Sequence, residues 1–170
     1  MLTSLKFDEK LNEKEQLSIP WEIEGPLGIT HDPESTYHLI SNGSNYLYEV
    51  ELSDRPAVIN TLRIYDENKR ILEGLASLAW VEGLVWANLK DSSKVAIIDL
   101  KTRKAKILDF SPLRRIAGIV NRRLKKRSLK EEECLSGIAY NSQTKKILLT
   151  GKNWPIVFEI KMNLKFAKVI

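Results

Sequence analysis

Three stretches of the chain read alike, and this repetition restricts the fold more than any other feature. They are GITHDPESTYHLISNGSNYLYEVEL (28–52), SLAWVEGLVWANLKDSSKVAIIDL (77–100) and GIAYNSQTKKILLTGKNWPIVFEIKM (137–162). Each opens on a short apolar segment and a polar turn (HDPEST, VEG, NSQTKK). A second apolar run follows (YHLI, LVWAN, ILLT), then another turn (NGSN, KDSS, GKNWP) and a third apolar run. NGSN is a strong hairpin signal, because Asn and Gly accept the positive φ that tight turns require. The runs are rich in Val, Ile, Leu, Tyr and Trp, as half-buried strands are. The repeat spacing is about 46 residues from Asn42 to Asn88 and about 63 from Asn88 to Gly151. A period of roughly 40–50 residues with several strands per unit points to an all-β chain of β-propeller blades. Fourth strands are expected at VINTLRI (58–64), AKILDF (105–110) and KFAKVI (165–170), and KEQLSIPWEIEG (14–25) ends a further partial unit.

The longer second interval contains an insertion that reads as the one helix, near 112–127. Ser111 is its expected N-cap, and Pro112 occupies the first helical position, where a missing N–H costs nothing. Leu113, Ile116, Ala117, Val120 and Leu124 form one apolar stripe. Arg122, Arg123, Lys125, Lys126 and Arg127 crowd the end where cations meet the negative pole of the helix dipole. Residues 101–130 hold 12 Lys and Arg against one acid, Asp109, so a net charge of +5 for the chain leaves the remainder at about −6. Such asymmetry fits an anionic contact or simply a solvated helix end. No aromatic residue is interleaved to stack on bases, so nucleic acid is not the expected partner.

At 170 residues the chain is sized for a single domain, 1–170. No apolar run approaches the roughly 18 residues of a membrane helix. The start MLTSLKFDEKLNEKEQ holds no stretch like a signal peptide, so the chain by itself is not marked for secretion, and its compartment stays open. The single cysteine, Cys134, excludes an internal disulfide. With His31 and His38 it makes a poor zinc ligand set.

At the third repeat the residues become distinctive. LSGIAYNSQTKKILLTGKNWPIVFEIKM resembles the closing blade of glutamine cyclotransferases (glutaminyl-peptide cyclotransferases) of the plant and bacterial, non-zinc type, whose pattern is close to LNGIAYD…T.RIFVTGK.WP.LFEI. EGLVWANLKDSSKVAIIDLKT and EGPLGITHDPESTYHLISNGSNYLYEVEL resemble two earlier segments of that family in the same order. The resemblance implies a five-bladed propeller of which about three blades are present, with no metal and no cofactor. The implied reaction converts the N-terminal glutamine of a peptide to pyroglutamate and releases ammonia.

Carried over residue by residue, the resemblance makes Lys152 of TGK a catalytic lysine and assigns substrate contacts to Trp86, Asn88 and Trp154. It also marks departures. Lys90 and Leu27 stand where the family has pocket tryptophans, and Ala76 where it has an asparagine. The family's motif around FTQGL…ES, with its catalytic glutamate, has no counterpart in residues 1–25, so a truncated or divergent member is expected. Glu73 and Glu82 are the acids nearest the VWAN segment, with no spacing that pairs either with Lys152. Two readings follow: a cyclotransferase, or a non-catalytic propeller fragment acting as a protein-binding module. Three blades would also leave open strand edges through which copies can self-associate.

Overall fold

The computed structural model describes residues 3–7 and 12–161. In chain order the strands are β1 (Thr3–Phe7), β2 (Glu13–Ser18), β3 (Gly28–His31), β4 (His38–Ser41), β5 (Tyr46–Glu51), β6 (Ala57–Arg63), β7 (Tyr65–Asp66), β8 (Leu75–Val81), β9 (Leu84–Leu89), β10 (Lys94–Asp99) and β11 (Lys104–Asp109). Helix α1 (Ser111–Lys125) follows, and then β12 (Leu135–Asn141), β13 (Lys146–Gly151) and β14 (Phe158–Ile160).

Each sequence repeat folds as an antiparallel meander. The first gives β3-β4-β5, to which 58–64 adds β6; the second gives β8-β9-β10, to which 105–110 adds β11; the third gives β12-β13-β14. Residues 165–170, expected to supply a fourth strand to the third sheet, lie outside the described residues. The partial unit upstream is a two-stranded sheet of β1 and β2. β7, two residues long and invisible in the hydrophobic pattern, pairs in parallel with the outer edge of β11.

The hairpins follow from local chemistry. Val81 pairs with Leu84 across the two residues Glu82 and Gly83, and Glu82 itself sits at φ 49°. Such a two-residue loop with positive φ matches the strand twist. In the NGSN turn, Asn42 Oδ1 accepts the Ser44 N–H at 3.2 Å, an Asx turn that replaces a backbone bond.

The sheets then stack face to face in a propeller-like array. Between the first and second, Leu39, Leu47 and Leu62 meet Leu75, Val85, Ala87 and Ile98. Between the second and third, Val81, Trp86, Val95 and Ile97 meet Leu135, Ile147, Leu149 and Trp154, with Ala117 of the helix. The middle sheet is therefore covered on both faces. This is why β9 and β10 read as continuous apolar runs rather than alternating ones. Val85, Ile97 and Ile98 are fully buried, each contributing on the order of 1.5–3 kcal/mol. The segment 19–25 closes the free face of the first sheet with Ile23 against Ile40 and Val50.

The innermost strands, β3, β8 and β12, lie side by side, with β8 in the centre. The approach of β3 to β8 is so close that a Cβ at Gly28 would run into the backbone of Ala76, Ser77 and Leu78. Ser41 Oγ donates to Ala76 O at 2.5 Å, and Ser77 Oγ donates to Ser136 O at 2.6 Å, stitching the three sheets at one end.

The helix corrects two expectations. Its N-cap is Phe110, not Ser111, which already lies in the first turn; the Ser111 N–H donates to Asp109 Oδ1 at 2.8 Å. A carboxylate two residues upstream satisfies the orphan donor that a serine cap would have served. The helix ends at Lys125, with Lys126 left-handed at φ 57°, because Asn121 Nδ2 donates to Arg127 O at 2.9 Å and draws the chain out of the helix. The stripe is also misfaced: Ala117 and Asn121 are the buried positions, whereas Ile116 and Leu124 are 46% and 66% exposed.

Candidate active site

At the stitched end of β3, β8 and β12 lies an open cavity of about 360 Å³. Its walls come from the second and third sheets and from the residue that leads into the first. Leu27 precedes β3, Ala76 and Ser77 begin β8, Asn88 ends β9, and Lys90 and Asp91 follow in the turn. Glu132 and Cys134 come from the run into β12, Ser136 from the start of β12, and Lys152 from the turn after β13. Five positions singled out in the sequence (Leu27, Ala76, Asn88, Lys90 and Lys152) therefore meet in one cavity, although up to 125 residues separate them in the chain.

Asn88 is the most informative of them. It is 1% exposed, and neither its amide nitrogen nor its oxygen has a hydrogen-bond partner among the described residues. Leaving such a group unpaired costs roughly 1–3 kcal/mol. Two residues earlier on the same face of β9, the Trp86 Nε1–H is likewise buried without a partner. Trp86 itself is fully buried in the core between the second and third sheets and does not line the cavity.

The turn carrying Lys152 is held firmly. The Lys152 N–H donates to Cys134 O at 3.0 Å, and the Trp154 N–H to Gly151 O at 3.1 Å. Trp154, 8% exposed, packs edge-on to Phe158 with ring centroids 6.0 Å apart, and its Nε1 donates to Glu133 O at 2.9 Å. Trp154 is thus placed beneath the turn and, like Trp86, outside the cavity lining.

Behind the turn sits Glu133, only 2% exposed and unmarked by any motif in the sequence. Its carboxylate takes a two-pronged ion pair from Arg127, both nitrogens at 2.8 Å, the Lys130 N–H at 2.9 Å and Asn153 Nδ2 at 2.9 Å. Arg127 first, then these N–H donors, hold its pKa far below the usual carboxylate range. Glu133 is therefore a fixed anion that ties the 126–134 connection to the Lys152 turn. Lys125 adds a bond from Nζ to Asn153 O at 3.1 Å.

Of the acids close to VWAN in sequence, Asp91, three residues after Asn88, shares the cavity with Lys152, and Glu82 does not. Glu82 lies at the far end of β8, where its carboxylate accepts from Lys145 Nζ at 2.6 Å and Tyr140 OH at 2.5 Å and its pKa is lowered by both. His31 and His38 stack on one another across β3 and β4 at 5.2 Å, away from Lys152. The acids that share the cavity are Asp91 and Glu132. They come from a turn and a loop, where no periodicity marks a residue as facing inward. Among the described residues no cluster of three or more His, Cys, Asp or Glu is arranged to hold a metal ion. Among the described residues no aromatic side chain lines the cavity.

Comparison with known proteins bears on the family and the fold. A protein-family model for glutamine cyclotransferase matches residues 3–162. Glutaminyl-peptide cyclotransferase of Arabidopsis thaliana is 28% identical over 128 residues, which is 75% of this chain and 38% of that protein. The crystal structure of Myxococcus xanthus glutaminyl cyclase superposes with a TM-score of 0.73 at 24% identity, covering 88% of this chain and 59% of that one. A more distant likeness of fold is to Kuenenia stuttgartiensis hydrazine synthase, with a TM-score of 0.51 at 15% identity over 83% of this chain and 34% of that one. The chain thus spans little more than a third of the curated relative it matches. With nearly its whole length matched by the family model, the chain belongs to the glutamine cyclotransferase family.

Proposed function

We propose that the cavity receives the N-terminal glutamine of a peptide and closes it to pyroglutamate, with Lys152 as the catalytic cation and Asn88 as the principal substrate contact. The observation that carries the reading is the buried, unpartnered Asn88 amide in the same cavity as Lys152. A primary carboxamide offers both N–H donors and a carbonyl acceptor, which is what an unpaired asparagine amide requires.

In the reaction the substrate's α-amine attacks its own side-chain carbonyl carbon. The new C–N bond forms, negative charge develops on the carbonyl oxygen, and the bond to the amide nitrogen breaks. The net proton movement is from the attacking nitrogen to the departing one, which leaves as ammonia. Donors aimed at the oxyanion lower this barrier most, and the Lys152 ammonium and the Asn88 Nδ2–H are the cavity's candidates. Asp91 or Glu132 is suited to carry the proton between the two nitrogens. Neither is assigned by family resemblance, so this chain would use an acid of its own.

The aromatic-free lining favours a second reading, in which the cavity captures a peptide terminus without turning it over. Walls that bend the substrate into attack geometry supply much of the rate in an intramolecular cyclisation, and Leu27 and Lys90 are no substitute for rings. One experiment separates the two. The purified chain is incubated with a short peptide bearing N-terminal glutamine, ammonia loss is followed by mass spectrometry against the spontaneous baseline, and binding is measured calorimetrically. Turnover that falls on the order of 100-fold in Lys152→Ala supports the enzyme. Saturable binding without turnover, weakened in Asn88→Ala, supports the binding module. Neither turnover nor binding refutes both.

A further inference from the structure

Helix α1 presents to solvent a face that the site does not use. Its inner side is held by Leu113, Ala117 and Asn121. On the outer side, Pro112, Ile116, Ile119 and Arg123 follow one another at helical spacing, flanked by the row Arg115, Ile119, Arg122 and Lys126. Ile116 and Ile119 are 46% and 44% exposed, and the arginines and lysine around them are exposed as well. No Asp or Glu occurs from Phe110 to Lys130.

Several of the local cations are already engaged. Arg127 is paired with Glu133, Arg114 donates to the carbonyls of Lys130 and Glu131, Lys125 donates to Asn153 O, and Arg115 acts on Asp109. Arg122, Arg123 and Lys126 have no ion-pair or hydrogen-bond partner among the described residues. The outer face thus combines unpaired positive charge with exposed β-branched apolar side chains on one 15-residue helix and its C-cap, Lys126.

We propose that this face is a membrane-surface dock, on which the protein settles against a bilayer bearing anionic headgroups with α1 lying in the plane of the interface. Charge complementarity selects the partner: the free cations require acidic groups, and α1 carries no acid to repel them. The isoleucines select a bilayer over other polyanions. Interleaved among the basic residues, they enter the boundary between headgroups and acyl chains, where apolar area adds to the electrostatic attraction. A nucleic-acid backbone would use the cations alone, and the face offers no aromatic ring for bases. No described helix is long and apolar enough to cross a membrane, so the contact is peripheral. The dock does not depend on the chemistry at Lys152.

The test is co-sedimentation of the chain with vesicles of phosphatidylcholine alone and of phosphatidylcholine with 30% phosphatidylserine, at low and high salt, with a duplex oligonucleotide as competitor. All substituted side chains face solvent, and unchanged circular dichroism confirms that each variant is folded. The expected result is partitioning at least tenfold stronger onto the phosphatidylserine vesicles. It should fall tenfold or more in Arg122→Gln/Arg123→Gln/Lys126→Gln and severalfold in Ile116→Ser/Ile119→Ser. Equal partitioning on both vesicles, or none on either, overturns the proposal. So does binding that survives the isoleucine substitutions unchanged and is fully displaced by the oligonucleotide, which would make the face a general polyanion site.

Discussion

Gly151→Ala, a change of one methyl group, should destabilise the fold more than most core truncations of similar size. A Cβ at this position would lie inside contact distance of Cε2 and Cδ2 of the Trp154 indole and of the Cys134 carbonyl oxygen. Gly151 is not among the positive-φ residues, so the cost is steric rather than conformational. The indole cannot simply retreat, because its Nε1–H is bonded to Glu133 O at 2.9 Å and its edge is set against Phe158. Overpacking of this kind costs about 1–3 kcal/mol, and loosening the indole bond adds about 1 kcal/mol, so we expect roughly 3 kcal/mol in all. Trp154→Ala alone should cost about 3–5 kcal/mol through the lost side chain and the cavity left behind. In the double variant the new methyl has room on the indole side, and the Cys134 carbonyl is its remaining obstacle. The two effects should therefore fall short of additivity by about 1–2 kcal/mol. Urea unfolding followed by far-UV circular dichroism measures this, with m-values compared to confirm a common unfolding transition. A Gly151→Ala protein within about 0.5 kcal/mol of the parent, or strict additivity in the cycle, would refute the packing argument.

The remaining predictions concern neighbouring interactions. The pKa of Glu133 is depressed in the folded state, first by Arg127, so its contribution is present above the ordinary unfolded value of about 4.3 and is lost as pH falls below it. The gap in urea midpoint between parent and Glu133→Gln should accordingly narrow between pH 6 and pH 3; a constant gap would contradict the assignment. Ser77→Ala removes the bond to Ser136 O at the cavity floor and should cost about 1 kcal/mol, read by the same unfolding assay. Burial first, and then Glu82, hold the Tyr140 phenol above its ordinary pKa. In an ultraviolet titration one tyrosine should ionise late, and Glu82→Gln should bring it earlier.

How much of this was legible in the sequence depended on the kind of signal. The meanders were visible because strand and turn chemistry is local: alternation, NGSN, and the short VEG loop each act over a few residues. The helix was visible too, but not its facing. Leu113, Ile116, Ala117, Val120 and Leu124 satisfy a helical stripe, yet α1 buries Ala117 and Asn121. The buried positions, Ala117 in the core between the second and third sheets and Asn121, are a small residue and an amide bonded to Arg127 O, so tertiary packing overrode the hydrophobic pattern. β7 was missed because a two-residue strand leaves no period to detect. At the cavity, Lys152, Asn88 and Lys90 could be named only through resemblance. Asp91, Glu132, Cys134 and Ser136 reach it from a turn, a loop and the start of a strand, and their proximity exists only once three sheets are stacked.

Glu133 shows why that gap matters for function. In sequence it is the third of three glutamates before Cys134 and reads as solvated surface; in the fold it is a buried anion bonded to Arg127, Lys130 and Asn153. Those bonds join the end of α1 to the turn that presents Lys152, with Lys125 and Trp154 as further ties. Removing the charge should therefore reach the cavity even though Glu133 does not line it. In Glu133→Gln the guanidinium of Arg127 loses its partner, the Asn153 tie weakens, and Lys152 becomes less constrained. Selective acylation of lysines read by mass spectrometry should show Lys152 modified at an altered rate relative to the exposed Lys161, while Lys69, in the turn after β7, stays at its parent rate. An unchanged Lys152 rate in a folded Glu133→Gln protein would mean that Gly151 and Trp154 alone set the turn, and that the buried ion pair serves only to anchor the insertion.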